Sequence, residues 1–158
     1  MQEFGADCGQ RLPEIAPRLG LEIVQIEADK YDGALLRIQG AHVGTIVINS
    51  RIREAGRRKF TLAHEIGHYL LPNQQDLVEP CSADSIETGA YLRARESESE
   101  ANSFAAEVLM PREQMVDELR MTPCFQAVRS IAAKFGVSLT AAICRLVEFS
   151  TFRGLPAL

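Results

Sequence analysis

Apolar residues change their spacing several times along the chain, and each change marks an element. Leu12, Ile15, Ala16 and Leu19 recur at helical intervals. A short helix is therefore expected over 11–20, with Pro13 in its first turn and Gly20 at its end. Pro17 fits less well inside it. From Leu21 the period shortens towards two. Residues 21–26 read as a strand, Asp32-Gly33 as a turn, 34–39 as a second strand, 40–44 as a turn, and 45–49 as a third strand. The third strand holds the unbroken apolar run Ile46-Val47-Ile48. Short turns between three strands predict a small antiparallel sheet.

Helical spacing then returns in Leu62, Ala63, Ile66, Tyr69 and Leu70, and Leu71-Pro72-Asn73 supplies a stop. Residues 73–95 carry little apolar pattern and read as a long functional loop or flap. Ala101, Phe104, Ala105, Val108 and Leu109 form the stripe of a helix over 95–111. A helix opened by Pro111 follows over 111–119. Another over 125–135 places Val128, Ile131, Ala132 and Phe135 on one face, with Gly136 to end it. Ser138 caps a last helix over 139–149 that carries Ala142, Ile143, Leu146 and Val147. The expected fold is α+β: a small antiparallel sheet packed on a helical core, with C-terminal packing helices. One domain spans 1–158, with 1–10 and 150–158 as frayed tails.

Composition narrows the class. The 158 residues suffice for one real core, and 46% apolar with 24% charged residues is ordinary for a soluble globular chain. A formal charge of −4 argues against a general nucleic-acid binder. No apolar run reaches membrane-span length, and Glu3 and Asp7 replace the apolar core of a signal peptide. Cys8, Cys81, Cys124 and Cys144 form no Cys-x-x-Cys. They read as reduced thiols of a cytoplasmic protein.

The chemistry concentrates in one stretch. Of three histidines, two stand in His64-Glu65-Ile66-Gly67-His68. Residues four apart on a helix lie one above the other, so His64 and His68 can offer two imidazoles to one ion, with Glu65 in reach of a water on it. That is the donor set of a zinc peptidase, in which the carboxylate is the general base. A third ligand is still needed. Glu96, Glu98, Glu100 and Glu107 lie downstream. Glu98 falls about 50° from the centre of the apolar face of its helix, Glu100 about 110° and Glu107 about 130°. Glu98 is therefore the expected ligand and Glu100 the alternative. Asn102, four residues beyond Glu98, can hydrogen-bond a ligating histidine from the same edge. Tyr91, Tyr69 and His42 are candidates for the oxyanion donor by chemistry alone. His42, in a turn, otherwise reads as a surface residue. The basic run Arg51, Arg53, Arg57, Arg58 and Lys59 reads as a solvated helix entry, or as a source of one substrate-binding arginine.

Three blocks together resemble a known family. They are Ile46-Val47-Ile48-Asn49, then Arg57 through His68, then Glu98-Ser99-Glu100-Ala101-Asn102 continuing to Pro111. Their order and content are similar to those of the ImmA/IrrE metallopeptidases. The resemblance implies a gluzincin-like zinc site with His64, His68 and the glutamate of Glu-x-x-x-Asn as ligands and Glu65 as base. It implies a cytoplasmic endopeptidase whose partner is an XRE-type helix-turn-helix repressor, cleaved to derepress a mobile element or a stress response, without direct nucleic-acid or membrane contact. Zn²⁺ is the expected ion, although a His-His-Glu set also admits Mn²⁺. Two other readings compete. One is a non-catalytic metal-containing module that grips a repressor or antitoxin. The other is a DNA reader built from the last two helices, which carry Arg145 but few base-reading side chains.

Overall fold

The computed structural model describes residues 8–37, 42–71, 88–115, 118 and 124–152, with side chains in 88–95 and 150–152 excepted. The elements run α1 (Leu12–Arg18), β1 (Leu21–Ile26), β2 (Gly33–Arg37), β3 (Gly44–Asn49), α2 (Ala55–Leu70) and α3 (Thr88–Leu109). A 3₁₀ turn (Arg112–Met115), α4 (Phe125–Phe135) and α5 (Leu139–Phe152) complete the order. The α+β architecture expected from the alternation of patterns is the one observed.

The sheet itself differs from the expectation. It is mixed, in the order β1-β3-β2, with β1 parallel to β3 and β2 antiparallel to it. The reason lies in β3. Its apolar run does not alternate, and Ile46, Val47 and Ile48 are all buried. A strand covered on both faces belongs in the middle of a sheet, and β3 takes that place. The connection from β1 to β2 must then step past one strand position. Asn49 secures that step: its amide donates to Ala28 O (2.8 Å) and Tyr31 O (2.9 Å), and its side-chain oxygen accepts from Ala28 N (3.3 Å) and Arg51 N (3.0 Å). All its side-chain hydrogen-bonding capacity is used, which is what makes its burial tolerable.

One hydrophobic cluster joins α1, the sheet and all the later helices, with Leu21, Ile46, Ile66 and Ile131 among its fully buried members. Each such side chain contributes about 2 kcal/mol. Helix α2 has Leu62, Ala63 and Ile66 on the inner face, as the spacing predicts. It ends at Leu70, with Leu71 already extended ahead of Pro72.

Several boundaries are corrected. Helix α3 begins at Thr88, so 88–95 belongs to a helix and not to a connection; residues 72–87 lie outside the described residues. The expected helix over 111–119 is a 3₁₀ turn at Arg112–Met115 that buries Met115; the rest of that stretch, apart from Glu118, lies outside the described residues. At the N-terminus, Cys8–Gln10 is no frayed tail but a 3₁₀ turn in which Gly9 is buried. Gln10 ties it down, accepting from Lys59 Nζ (2.8 Å) and donating to Phe135 O (3.3 Å). Helix α5 continues to Phe152, three residues past its expected end; 1–7 and 153–158 lie outside the described residues.

Helix α5 also presents a different face. Ile143 and Val147, expected to pack, are exposed, while Ala142, Arg145, Leu146 and Phe149 are buried. These residues are spaced i, i+3, i+4, i+7, so the buried stripe includes the arginine. Helix α4 packs as predicted through Val128, Ile131 and Phe135, and Gly136 ends it in the left-handed conformation at φ 61°. Ser138 Oγ accepts from Ala141 N (3.1 Å), the expected cap of α5.

Candidate metal centre

The site forms where α2 crosses α3. Gly67 sits at the closest approach. A side-chain carbon there would lie 3.0 Å from Phe104 Cδ1 and 3.3 Å from Ala101 Cα. Ala101 and Ala105 are fully buried and keep the facing side of α3 equally thin. Small residues on both helices allow the backbones to approach. His64 lies one turn before Gly67 and His68 directly after it. Glu98 lies one turn before Ala101 and Asn102 directly after it. The closest contact therefore brings the two polar edges together.

The result is a tight group of potential ligand atoms. His64 Nε2 and His68 Nε2 are 2.9 Å apart, and the Glu98 carboxylate stands 3.3 Å from each. Their ligand atoms all lie within 4.8 Å of one another, and among the described residues no other group of three His, Cys, Asp or Glu does this. His64 Nδ1 faces Asn102 Oδ1 at 3.0 Å. That partner accepts, so Nδ1 carries the proton and Nε2 keeps its lone pair for the centre. Two imidazole nitrogens bound tetrahedrally at about 2.0 Å would be about 3.3 Å apart. The observed separation is a few tenths of an ångström short of this, so the residues fit a first-row divalent ion with little rearrangement. Lone pairs converging on one point also repel unless a cation or a shared proton lies between them.

Electrostatics separates the two carboxylates. Hydrogen bonds that His64 and then His68 can donate when no ion takes their place hold the Glu98 carboxyl far below the ordinary range, despite some burial. Its side chain is 45% exposed, which leaves that side of the centre open. Glu65 is only 6% exposed. Burial pushes its carboxyl up, against the pull of His64 and His68, and Glu98 adds a smaller push upwards. A carboxylate that holds its proton more readily than usual, one residue from a ligand, is the environment of a general base.

The other sequence candidates fall elsewhere. Glu96 and Glu100 are exposed on α3. Glu107 pairs with Arg145 and accepts from Arg112 N (3.2 Å). His42 is exposed, outside the cluster, with its carbonyl packed against Gly20. The Tyr69 ring lies under the Arg37 guanidinium, 5.0 Å from its centroid. Tyr91 is on α3, and its side chain lies outside the described residues. The basic run is a solvated entry, as expected, with Arg51, Arg53, Arg57 and Arg58 all exposed, and several of its charges are paired. Arg51 pairs with Glu27 and Asp29, Arg57 Nε donates to Asp32 (2.7 Å), and Lys59 donates to Phe135 O (2.8 Å) at the end of α4. Gly67 and Asn49 escaped notice as parts of this architecture. The signal for Gly67 was present: a glycine inside an apolar helical stripe marks a close crossing.

Comparison with known proteins agrees with this geometry. Residues 16–147 match the model of the IrrE N-terminal-like domain, a peptidase family. The radiation response metalloprotease IrrE of Deinococcus deserti is 38% identical over 105 residues, which are 65% of this chain and 36% of that protein. The protein of the same name from Deinococcus radiodurans is 38% identical over 104 residues, covering 65% of this chain and 30% of its own length. The match thus spans about a third of the length of these curated relatives. The family match runs from α1 into α5 and takes in every element that builds the centre: the chain belongs to the IrrE N-terminal-like peptidase family.

Proposed function

We propose that this chain is a zinc-dependent endopeptidase that cleaves a helix-turn-helix repressor of the XRE type, releasing a mobile element or a stress response. The observation that carries this reading is the convergence of His64, His68 and Glu98 beside the buried carboxylate of Glu65. His64, His68 and Glu98 would hold a divalent ion, which would supply Lewis-acid polarisation of the scissile carbonyl and acidify the attacking water. Glu65 takes the proton released in the attack and passes it to the leaving amine. Its raised proton affinity suits both halves of that transfer. Asn102 holds the His64 ring in the tautomer and orientation that the attack requires.

An extended substrate has a place to dock. Strand β2 is an edge of the sheet, and among the described residues it pairs only with β3. Main-chain pairing along such an edge accepts an internal stretch of polypeptide, as an endopeptidase must. Cys8, Cys124 and Cys144 are free thiols, which supports a reducing, cytoplasmic setting. Among the described residues no single helix is long and apolar enough to cross a membrane. A stress-response role draws support from the names of the Deinococcus relatives. Direct DNA reading finds no support, because Arg145, the basic residue of α5, is turned inward and buried.

A non-catalytic module is the competing reading. A purely structural zinc site is closed by four protein ligands. Among the described residues three converge, and Glu65 is buried next to them without being one. The test is incubation of the purified chain with Zn²⁺ and candidate XRE-type helix-turn-helix repressors from the same genome, with and without chelator. Cleavage should require the metal. Glu65→Gln should bind one ion and lose about 10²- to 10⁴-fold in rate. A stable complex without product in excess zinc would establish the module instead.

A further inference from the structure

Gly33 opens β2, the edge strand of the sheet, and its backbone runs against the middle of α2. A side-chain carbon on Gly33 would lie 2.4 Å from Thr61 Cγ2, 2.8 Å from Glu65 Oε1 and 3.3 Å from Glu65 Cγ. The φ of Gly33 is not in the left-handed region, so the position demands space and not an unusual backbone angle. Among the described residues the Glu65 carboxylate makes no hydrogen bond. Packing therefore helps to set where its oxygens lie, and the bare backbone of Gly33 is a wall of that packing.

The wall is held in place from two directions. Asn49 N donates to Asp32 O (2.8 Å), and the Asn49 side chain ties down Ala28 and Tyr31 just upstream. From α2 itself, Arg57 Nε donates to Asp32 Oδ2 (2.7 Å), and Thr61 Oγ1 donates to Arg57 O (3.0 Å). The residue next to Gly33 is thus anchored both to the central strand and to the helix that carries Glu65. These ties link the sheet edge to the helix that carries Glu65.

We propose that Gly33 is a positioning residue for Glu65. It admits the strand to contact distance and holds the carboxylate at the place from which it exchanges protons with the reacting groups. This rests on the reading of Glu65 as the general base. Asn49 and Arg57 act through Gly33 by fixing Asp32.

Gly33→Ala, Thr61→Ser and the double variant test this against a purely structural role. Thr61→Ser removes Cγ2, the nearest atom, and keeps the hydroxyl that donates to Arg57 O. The readouts are cleavage by the Zn²⁺-loaded chain of the protein substrate that the wild type cleaves, Zn²⁺ affinity by chelator competition, and the thermal midpoint. Gly33→Ala should lower kcat about 10- to 100-fold with KM and Zn²⁺ affinity within about twofold, since a displacement near 1 Å costs that much. Its thermal midpoint should fall. In Gly33→Ala with Thr61→Ser the midpoint should recover while kcat stays low, because the added carbon still meets Glu65 Oε1. Wild-type kcat in Gly33→Ala, or joint recovery of kcat and midpoint in the double variant, overturns the proposal. Glu65→Gln run alongside separates the two ideas: if it cleaves at the wild-type rate, the base assignment falls and Gly33 has nothing to position. If it is inactive and Gly33→Ala is not impaired, only the present inference falls.

Discussion

Two helix pairs in this molecule are built alike and end in opposite states. Helices α2 and α3 meet through small residues and bring the ligand atoms of His64, His68 and Glu98 to one point. Helices α4 and α5 bend by 114° at a short turn and also place a charge inside, Arg145, 3% exposed. There four of the five N–H donors have partners. Arg145 donates to Met110 O from Nε (3.2 Å) and Nη2 (3.1 Å), to Glu148 (2.9 Å) and to Glu107, and stacks on Phe149 with its centroid 4.4 Å away. A polar cluster that closes on itself holds structure together. One whose ligand atoms converge on a single point suits a cation. That contrast, more than the presence of polar residues inside, separates the site from the scaffold.

The sharpest way to break the comparison is to exchange the consequences. Arg145→Ala should destabilise the fold by about 3 kcal/mol, since two hydrogen bonds to one buried carbonyl, two carboxylate partners and a ring contact are lost together. Its Zn²⁺ affinity per folded molecule should not change. Denaturant unfolding beside metal titration reads both, and a variant that loses zinc binding while folded would merge the two regions. A smaller effect is expected at Asn102→Ala: Zn²⁺ affinity lower by about 10- to 100-fold, with the unfolding midpoint of the metal-free protein nearly unchanged. Smaller still is the effect of Glu65→Gln on metal-free stability. The folded state favours protonated Glu65, so its contribution is favourable below the unfolded value of 4.5 and is lost as pH rises through the raised folded value. At neutral pH the glutamine variant should therefore be more stable than wild type, by about 1 kcal/mol. The gap should close below pH 4.5. A variant less stable than wild type at neutral pH would mean that Glu65 supports the fold.

Much of this centre was legible in the chain because helical geometry is local. The four-residue interval of His64 and His68, and the phase of Glu98 against Ala101, Ala105 and Val108, need no knowledge of the rest of the fold. The strand order was not legible, since a six-residue connection between β1 and β2 suits either a hairpin or a step past β3. What decides is the double burial of Ile46, Val47 and Ile48 with the four hydrogen bonds of Asn49, and both are tertiary facts. The first turns of α3 were missed because 88–95 has no apolar stripe. In α5 two apolar stripes compete, Ala142-Leu146-Phe149 against Leu139-Ile143-Val147. Hydrophobicity alone cannot rank them, because the winning stripe contains an arginine whose partners come from α3.

The central claim is that α2 and α3 together form one metal site, with Glu98 as the ligand contributed by the second helix. Calorimetric titration of Zn²⁺ into metal-free wild type and metal-free Glu98→Ala tests it most directly. Wild type should bind one ion, and Glu98→Ala should bind it at least about 100-fold more weakly with the same unfolding midpoint, since losing a direct ligand exceeds losing its supporting hydrogen bond. Equal affinity in the two proteins would contradict the account.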